Sequence, residues 1–227
     1  MVAKVRKKTY LCCRMKRLAA IFIVFLTLAA LYFSRIEVSG KLAYPVAFLG
    51  FMALMDSRNI GIAMAIGLVC SAFGDWQGTQ GNFLGQMGCF ALAHVAYICY
   101  FTSRMKGKPN GWLMAIGLAT VLVIGVVAAT KVIPQVPEGV MQIGVSIYCL
   151  LILTMLLMAL MQRDWLFALG AALFVCSDFI LAWNKFVSPV GHASWMIMVP
   201  YYTAQWLLFF RATCVASNAC SCTSPDR

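Results

Sequence analysis

Long apolar runs alternate with short polar breaks along the whole chain. The runs lie at roughly 18–33, 41–55, 60–76, 82–101, 111–129, 139–161, 165–182 and 193–211, and the breaks at 34–41, 56–59, 77–81, 103–110, 131–138, 162–164 and 183–189. The breaks carry Gly, Pro, Asn, Asp and Ser, the residues that stop helices and make turns. A helix needs roughly 20 apolar residues to cross the hydrocarbon core of a bilayer, so the shorter runs must extend into the breaks. The pattern predicts an all-α, polytopic membrane bundle of about eight transmembrane helices. A few matched residues hint at two four-helix halves. No linker interrupts the runs, so one bundle is expected over 18–211, between a basic segment at 1–17 and a Cys-containing tail at 212–227.

Composition sharpens the class. With 63% hydrophobic and 11% charged residues, a soluble domain of 227 residues would be left with a largely apolar surface. The formal charge of +11 at first points to nucleic acid, but its placement argues otherwise. Lys4, Arg6, Lys7, Lys8, Arg14, Lys16 and Arg17 all precede the first apolar run, the arrangement of an orientation signal beside anionic lipid. With the N-terminus in the cytoplasm, eight spans put fourteen basic residues inside and four (Arg35, Lys41, Lys131, Lys185) outside. Both termini are therefore expected in the cytoplasm, in the endoplasmic reticulum of a eukaryote or the inner membrane of a bacterium. The long basic start, without a clear small-residue cleavage site, does not read as a cleaved leader.

The ten cysteines form no metal or disulfide framework. Cys70, Cys89, Cys99, Cys149 and Cys176 lie in apolar runs and read as small hydrophobes. Cys12, Cys13, Cys214, Cys220 and Cys222 flank the first and last runs, where palmitoylation or plain thiols both fit.

Two carboxylates stand out. Asp75 ends the string VCSAFGD at 69–75 and Asp178 ends LFVCSD at 173–178, in comparable places of the two halves. A charge at the centre of a membrane helix costs roughly 2.5 kcal/mol or more, so one kept there usually serves a function. The bland alternative is a helix-end carboxylate reaching water, and Asp75 suits it better than Asp178. In the run 82–101, Asn82, Gln86, His94 and Tyr97 fall on one arc with Phe90. That stripe faces either a wet cavity or helix neighbours through hydrogen bonds. Tyr201, Tyr202 and Gln205 follow Pro200 and can share a face, as site residues or as interfacial aromatics. Asn184 and Lys185 stand one and two residues beyond Trp183 near the expected outer interface. Lys185 could meet a lipid phosphate there or simply snorkel.

The strings SAFGD at 71–75, GNFLGQMGCFALAHVAY at 81–97, GAALFVCSDFILAWNKF at 170–186 and YYTAQWL at 201–207 resemble, in order and spacing, the lysoplasmalogenase or YhhN-like family of polytopic membrane proteins. The resemblance implies a hydrolase that cleaves the vinyl ether of lysoplasmalogens to a fatty aldehyde and a glycerophospho-base. It also implies that Asp75 and Asp178 are the catalytic pair. Such cleavage needs one protonated carboxyl to protonate the β-carbon and one carboxylate to activate water, with no metal or other cofactor. The partners are then a lysophospholipid, water and the surrounding lipid, and not nucleic acid.

Asn82, His94, Tyr97, Asn184, Lys185, Tyr201, Tyr202 and Gln205 are the candidate substrate-binding residues. A proton- or cation-coupled transporter using the same aspartates is the competing reading. An intramembrane aspartyl protease is a poorer match, because Ala72 replaces the first Gly of GxGD. The expected geometry has the helices at 60–76 and 165–182 as parallel neighbours whose carboxyls face across a cavity. His94 would lie roughly 10 Å deeper, Lys185 at the outer mouth, and the alkenyl chain would run inward.

Overall fold

The computed structural model describes residues 2–34, 36–105 and 111–222, with side chains described between Met15 and Val215. The readings of Lys4, Arg6, Lys7, Lys8, Arg14, Arg35, Lys106, Lys108 and Arg227, and of Cys12, Cys13, Cys220 and Cys222, fall outside the described side chains.

Regular structure among the described residues is entirely helical: α1 (Val2–Phe33), α2 (Tyr44–Met55), α3 (Ser57–Ile60), α4 (Ile62–Thr79), α5 (Phe83–Ser103), α6 (Gly111–Val127), α7 (Val140–Met161), α8 (Trp165–Phe186) and α9 (Ala193–Cys222). A π-helical turn (Ala128–Val132) and a 3-10 turn (Ile133–Gln135) prolong α6. Among the described residues, five stretches are long and apolar enough to cross a membrane: Met15–Phe33, Phe83–Ser103, Gly111–Gln135, Val140–Met161 and Trp165–Phe186. This is a multi-pass membrane protein. Side chains in the breaks start the helices that follow them. Asn82 Oδ1 accepts from the Gly85 N–H at 3.0 Å to cap α5, and Asp164 Oδ1 accepts from Leu166 N–H at 3.2 Å to cap α8. The apolar runs at 60–76 and 165–182 continue as helix to Thr79 and Phe186, so both aspartates sit within helices.

The outward faces of these helices are apolar, unlike those of a soluble protein, and a few polar groups lie within a largely apolar core. Ile66, Phe73, Leu92, Val95 and Leu169 are exposed. The inward stripes carry the polar groups: Ser71 and Asp75 on α4, His94 and Tyr97 on α5, Ser177 on α8 and Gln205 on α9. The buried positions of α8 (Phe167, Gly170, Ala171, Phe174, Ser177) recur every three or four residues, one face of a helix. Lipid solvates the apolar faces, and the polar side chains find partners only inside.

Packing repeats along the chain. The most extensive helix contacts are α4 on α5 and α8 on α9. In each pair a glycine eight residues before the aspartate lets the next helix approach. A Cβ on Gly67 would run into the Tyr97 ring, and one on Gly170 would meet Leu208 at 3.2 Å. Across the halves α5 packs on α7 and α9 on α2, closing α2, α4, α5, α7, α8 and α9 into a ring.

The two ends of the bundle differ. At one, Arg104 Nη2 donates to the Ile60 carbonyl, Gln162 Nε2 to the Phe101 carbonyl, and Arg211 pairs with Asp164. Arg58 and Arg163 lie there as well. At the other end the loop 36–43 folds over the bundle. Gly40, at φ 74°, takes a conformation that favours glycine and lies against the Trp76 ring. Tyr202 Oη donates to the Leu42 carbonyl at 2.8 Å.

These contacts make a test of the close approach. Gly67→Ala should destabilise the protein by about 1–3 kcal/mol, since the fully buried Tyr97 ring must move. Gly88→Ala, whose Cβ meets nothing within 4 Å, should leave stability unchanged or slightly raised. Thermal unfolding in detergent compares the two, and equal melting temperatures would refute this account of the α4–α5 contact.

Candidate functional site

Asp75 lies on the inner face of α4, one turn from its end, and is only 2% exposed. It is therefore not a helix-end carboxylate in water. Its partner comes from α9, where Tyr201 Oη donates to Asp75 Oδ2 at 2.8 Å. Tyr201 is held by two phenylalanines that meet it edge-on, Phe90 at 5.8 Å and Phe174 at 5.4 Å between centroids. Phe90 and Phe174 meet each other in the same way at 6.1 Å. Three rings from α5, α8 and α9 thus close on one another at the centre of the ring of helices.

Asp178 projects from α8 on the other side of this cluster, its side chain 12% exposed. Tyr148, from α7, donates its hydroxyl to Asp178 Oδ2. Behind it, His94 Nε2 lies 3.0 Å from the Tyr148 hydroxyl and 3.8 Å from Asp178 Oδ2. Since the tyrosine proton goes to the carboxylate, the Tyr148 oxygen accepts from His94 when the imidazole carries its proton on Nε2. The other ring nitrogen, Nδ1, is buried and has no hydrogen-bond partner among the described residues. Neither Asp75 nor Asp178 pairs with Lys or Arg among the described residues.

The two carboxyls line one cavity of about 280 Å³. Polar groups around it are Gln86, Ser177, Asn184, Ser194, Tyr32 and Tyr201, and Phe90, Leu181 and Met198 supply apolar wall. It opens toward the end of the bundle covered by the loop 36–43, away from the Arg104 and Arg211 contacts. Ser177 is turned aside, donating to the Ile197 carbonyl at 2.9 Å in the stretch of α9 just before Pro200. Two carboxyls without a cation, each met by a phenol and facing a common space, are equipped to exchange protons with a bound molecule.

The other residues singled out from sequence take several places. Asn184 lines the cavity, and its Oδ1 also accepts from Val190 N–H at 2.8 Å, which fixes the loop before α9. Tyr97 and Gln205 lie outside the cavity wall, where Tyr97 Oη donates to Gln205 Oε1 at 2.9 Å. Tyr202 is turned toward the Leu42 carbonyl, and Asn82 caps α5. Lys185 is exposed, with Nζ 4.5 Å from the centroid of the Phe83 ring.

Two geometric expectations differ from the structure. His94 comes to 3.8 Å from Asp178 rather than lying about 10 Å deeper. Counting residues from helix ends assumes upright helices with level ends, and ignores the reach of the side chains. In addition, α4 and α8 run in the same direction but do not pack on each other as neighbours. The rings of Phe90, Phe174 and Tyr201 fill the space between them and hold the carboxyls across the cavity.

Tyr148 attracts no functional reading from the sequence, because the run 139–161 is among the most apolar in the chain. Its signal is a phenol near the middle of such a run. Gln86, whose place in the sequence reads better as a helix-contact residue, belongs to the cavity wall.

Comparison with known proteins adds to this geometry. The YhhN family matches residues 41–212, a region that contains every residue of the cavity except Tyr32. The chain is similar to human lysoplasmalogenase TMEM86B, 36% identical over 152 residues that cover 64% of this chain and 61% of the relative. It is also similar to lysoplasmalogenase TMEM86A of Bos taurus, 33% identical over 178 residues covering 72% and 69% of the two chains. The human TMEM86A is 31% identical over 180 residues, with the same coverage. The matched stretch spans about three fifths of the length of the TMEM86B relatives. No solved structure matches this chain. By its sequence, the chain belongs to the YhhN family.

Proposed function

We propose that this protein is a lysoplasmalogenase, a membrane hydrolase that cleaves the vinyl ether of an alkenyl-glycerophospho-base to a fatty aldehyde and the glycerophospho-base. One observation carries the reading: Asp75 and Asp178, on separate helices and with no Lys or Arg partner among the described residues, line the same cavity, each with a tyrosine hydroxyl on its Oδ2. The printed names of the relatives agree with it.

The chemistry then runs on the two carboxyls. One, protonated, delivers its proton to the β-carbon of the vinyl ether, and the π pair forms the new C–H bond. The other, ionised, faces the resulting oxocarbenium ion and takes a proton from the water that adds to it. The hemiacetal so formed collapses. Its C–O bond to glycerol breaks, the departing oxygen receives the second carboxyl's proton, and the hemiacetal hydroxyl returns a proton to the first. Nothing is consumed but water. Tyr148, backed by His94, and Tyr201 hold the carboxyls in register, and Asn184, Gln86 and Ser194 offer hydrogen bonds to glycerol and phosphate. Lys185, exposed near the mouth, supplies a cation for the phosphate.

In the membrane, the reading has eight helices crossing: the five that meet the length and apolarity of a span, together with α2, α4 and α9. The end carrying Arg58, Arg104, Arg163 and Arg211 faces the cytoplasm with both termini, in accordance with the excess of basic residues on cytoplasmic loops. The cavity then opens toward the opposite leaflet.

Asp75→Asn and Asp178→Asn should each lower aldehyde release by purified protein at least 10²-fold, as expected for a general acid or base. Asn is nearly isosteric and uncharged, so thermal stability should hold. A variant that keeps more than about a tenth of wild-type turnover would remove that residue from the chemistry. Tyr148→Phe keeps the ring and loses the donor; kcat should fall about tenfold with KM little changed, whereas a purely structural tyrosine would leave kcat intact. The saturated alkyl ether of the same lipid should not be cleaved, because it has no carbon to protonate to an oxocarbenium ion. Equal release from vinyl and alkyl ethers would end the proposed mechanism.

A further inference from the structure

Beside the polar cavity lies a smaller slot of about 50 Å³ between α5, α7 and α8. Its walls are Phe83, Met87, Val145, Leu181, Ala182 and Phe186, all apolar. Gln86, Tyr148 and Asp178 also line it, though its exposed surface is wholly apolar, and Gln86, Phe90, Asp178 and Leu181 are shared with the polar cavity. Asp178 therefore stands where a polar chamber meets an apolar one. The same stretches of α5 and α7 carry Leu84, Ile143 and Ile147 on exposed faces, which border lipid.

We propose that this slot is the binding site for the first methylenes of the substrate's hydrocarbon chain, and that the remainder of the chain leaves the protein sideways into the bilayer past the exposed faces of α5 and α7. The inference rests on the hydrolase reading above and extends it to how the substrate lies. A lysoplasmalogen is linear: phosphate, glycerol, ether oxygen, double bond, chain. A site that accepts it needs polar and apolar chambers in series with the acid at their junction, the order in which the cavity, Asp178 and the slot occur. The inward route expected from the sequence is closed, because Phe90, Phe174 and Tyr201 meet edge-on beneath the cavity and Tyr97 and Gln205 fill the space beyond them. The slot is short. A water-sized group needs about 10–15 Å³ of such space, so it holds on the order of three or four methylene-sized groups, and a long chain must emerge from it.

Two measurements test the proposal. In the first, wild-type protein in phosphatidylcholine nanodiscs is irradiated with a non-hydrolysable alkyl lysophosphatidylcholine carrying a diazirine early in its chain, and the adducts are mapped by mass spectrometry. Adducts should fall on residues 83–87, 145–148 and 181–186, and adducts confined to α1, α2 or α9 would overturn the slot. In the second, Ala182→Leu fills the slot. Each methylene kept from apolar burial weakens binding about fourfold, so the preference in kcat/KM for a hexadecenyl over a butenyl substrate should drop at least tenfold. An unchanged preference would overturn the proposal, and if the variant does not fold, the labelling of wild-type protein decides alone. The two readings fail separately. Labelling at the slot without hydrolysis of any vinyl ether would remove the hydrolase and keep the hydrocarbon site, and normal hydrolysis with labelling elsewhere would do the reverse.

Discussion

Two carboxyls buried in a membrane bundle, with no Lys or Arg partner among the described residues, dominate the architecture. Nothing in lipid can solvate Asp75 or Asp178, so the protein must, and no Lys or Arg among the described residues does so. Phenols take that part. Tyr201 reaches across from α9 to α4 and Tyr148 from α7 to α8, and each bond ties together two helices as well as satisfying a carboxyl. The same contacts define the cavity, since the tyrosines occupy one flank of each carboxyl and leave the other to the open space. A lysine in place of either phenol would form a tight pair and quench the acid–base function proposed for the site.

The tyrosines in turn depend on how closely the helices approach. Gly67 and Gly170 let α5 and α9 lie against α4 and α8, which brings Phe90 and Tyr201 from opposite halves into edge-on contact. That aromatic floor stands between α4 and α8, and it lies along the cavity wall through Phe90 and Tyr201. Beneath it the buried Tyr97–Gln205 hydrogen bond joins α5 to α9, while Tyr201 above it serves Asp75. Burial alone does not separate these roles. Tyr97, Gln205, Asp75 and Tyr201 are all nearly inaccessible, and only the position of the floor assigns them to different sides.

The repeated glycine-to-aspartate spacing carries the likeness of the two halves into the packing, and the site shows where they diverge. Asp75 is met by one phenol, and Asp178 by a phenol with an imidazole behind it. Asp178 also borders the apolar slot, and Asp75 is not among the residues that line it. Two similar carboxyls in unlike surroundings are what a reaction needs when one must give a proton and the other must take one.

The pattern of apolar runs and polar breaks was enough to determine the all-helical class, the membrane setting and the cores of the long helices, though not the ends of α1 and α9, which run on to Val2 and Cys222, because lipid imposes length and apolarity on any segment that crosses it. It also made Asp75 and Asp178 conspicuous, since a carboxylate is rare in such runs. The family resemblance, carried by four short strings, was legible for the same reason: the polar residues in them stand against an apolar background. Which polar residues meet was decided by the tertiary structure. Tyr148, isolated in a very apolar run, became the partner of Asp178, and His94 came within 4 Å of that carboxyl despite a different nominal depth. Tyr202 turned to a loop carbonyl while its neighbour Tyr201 reached Asp75. Helix tilt and rotation and the reach of long side chains set these pairings. They follow from the volume of side chains packed between helices far apart in the chain, which no local pattern encodes.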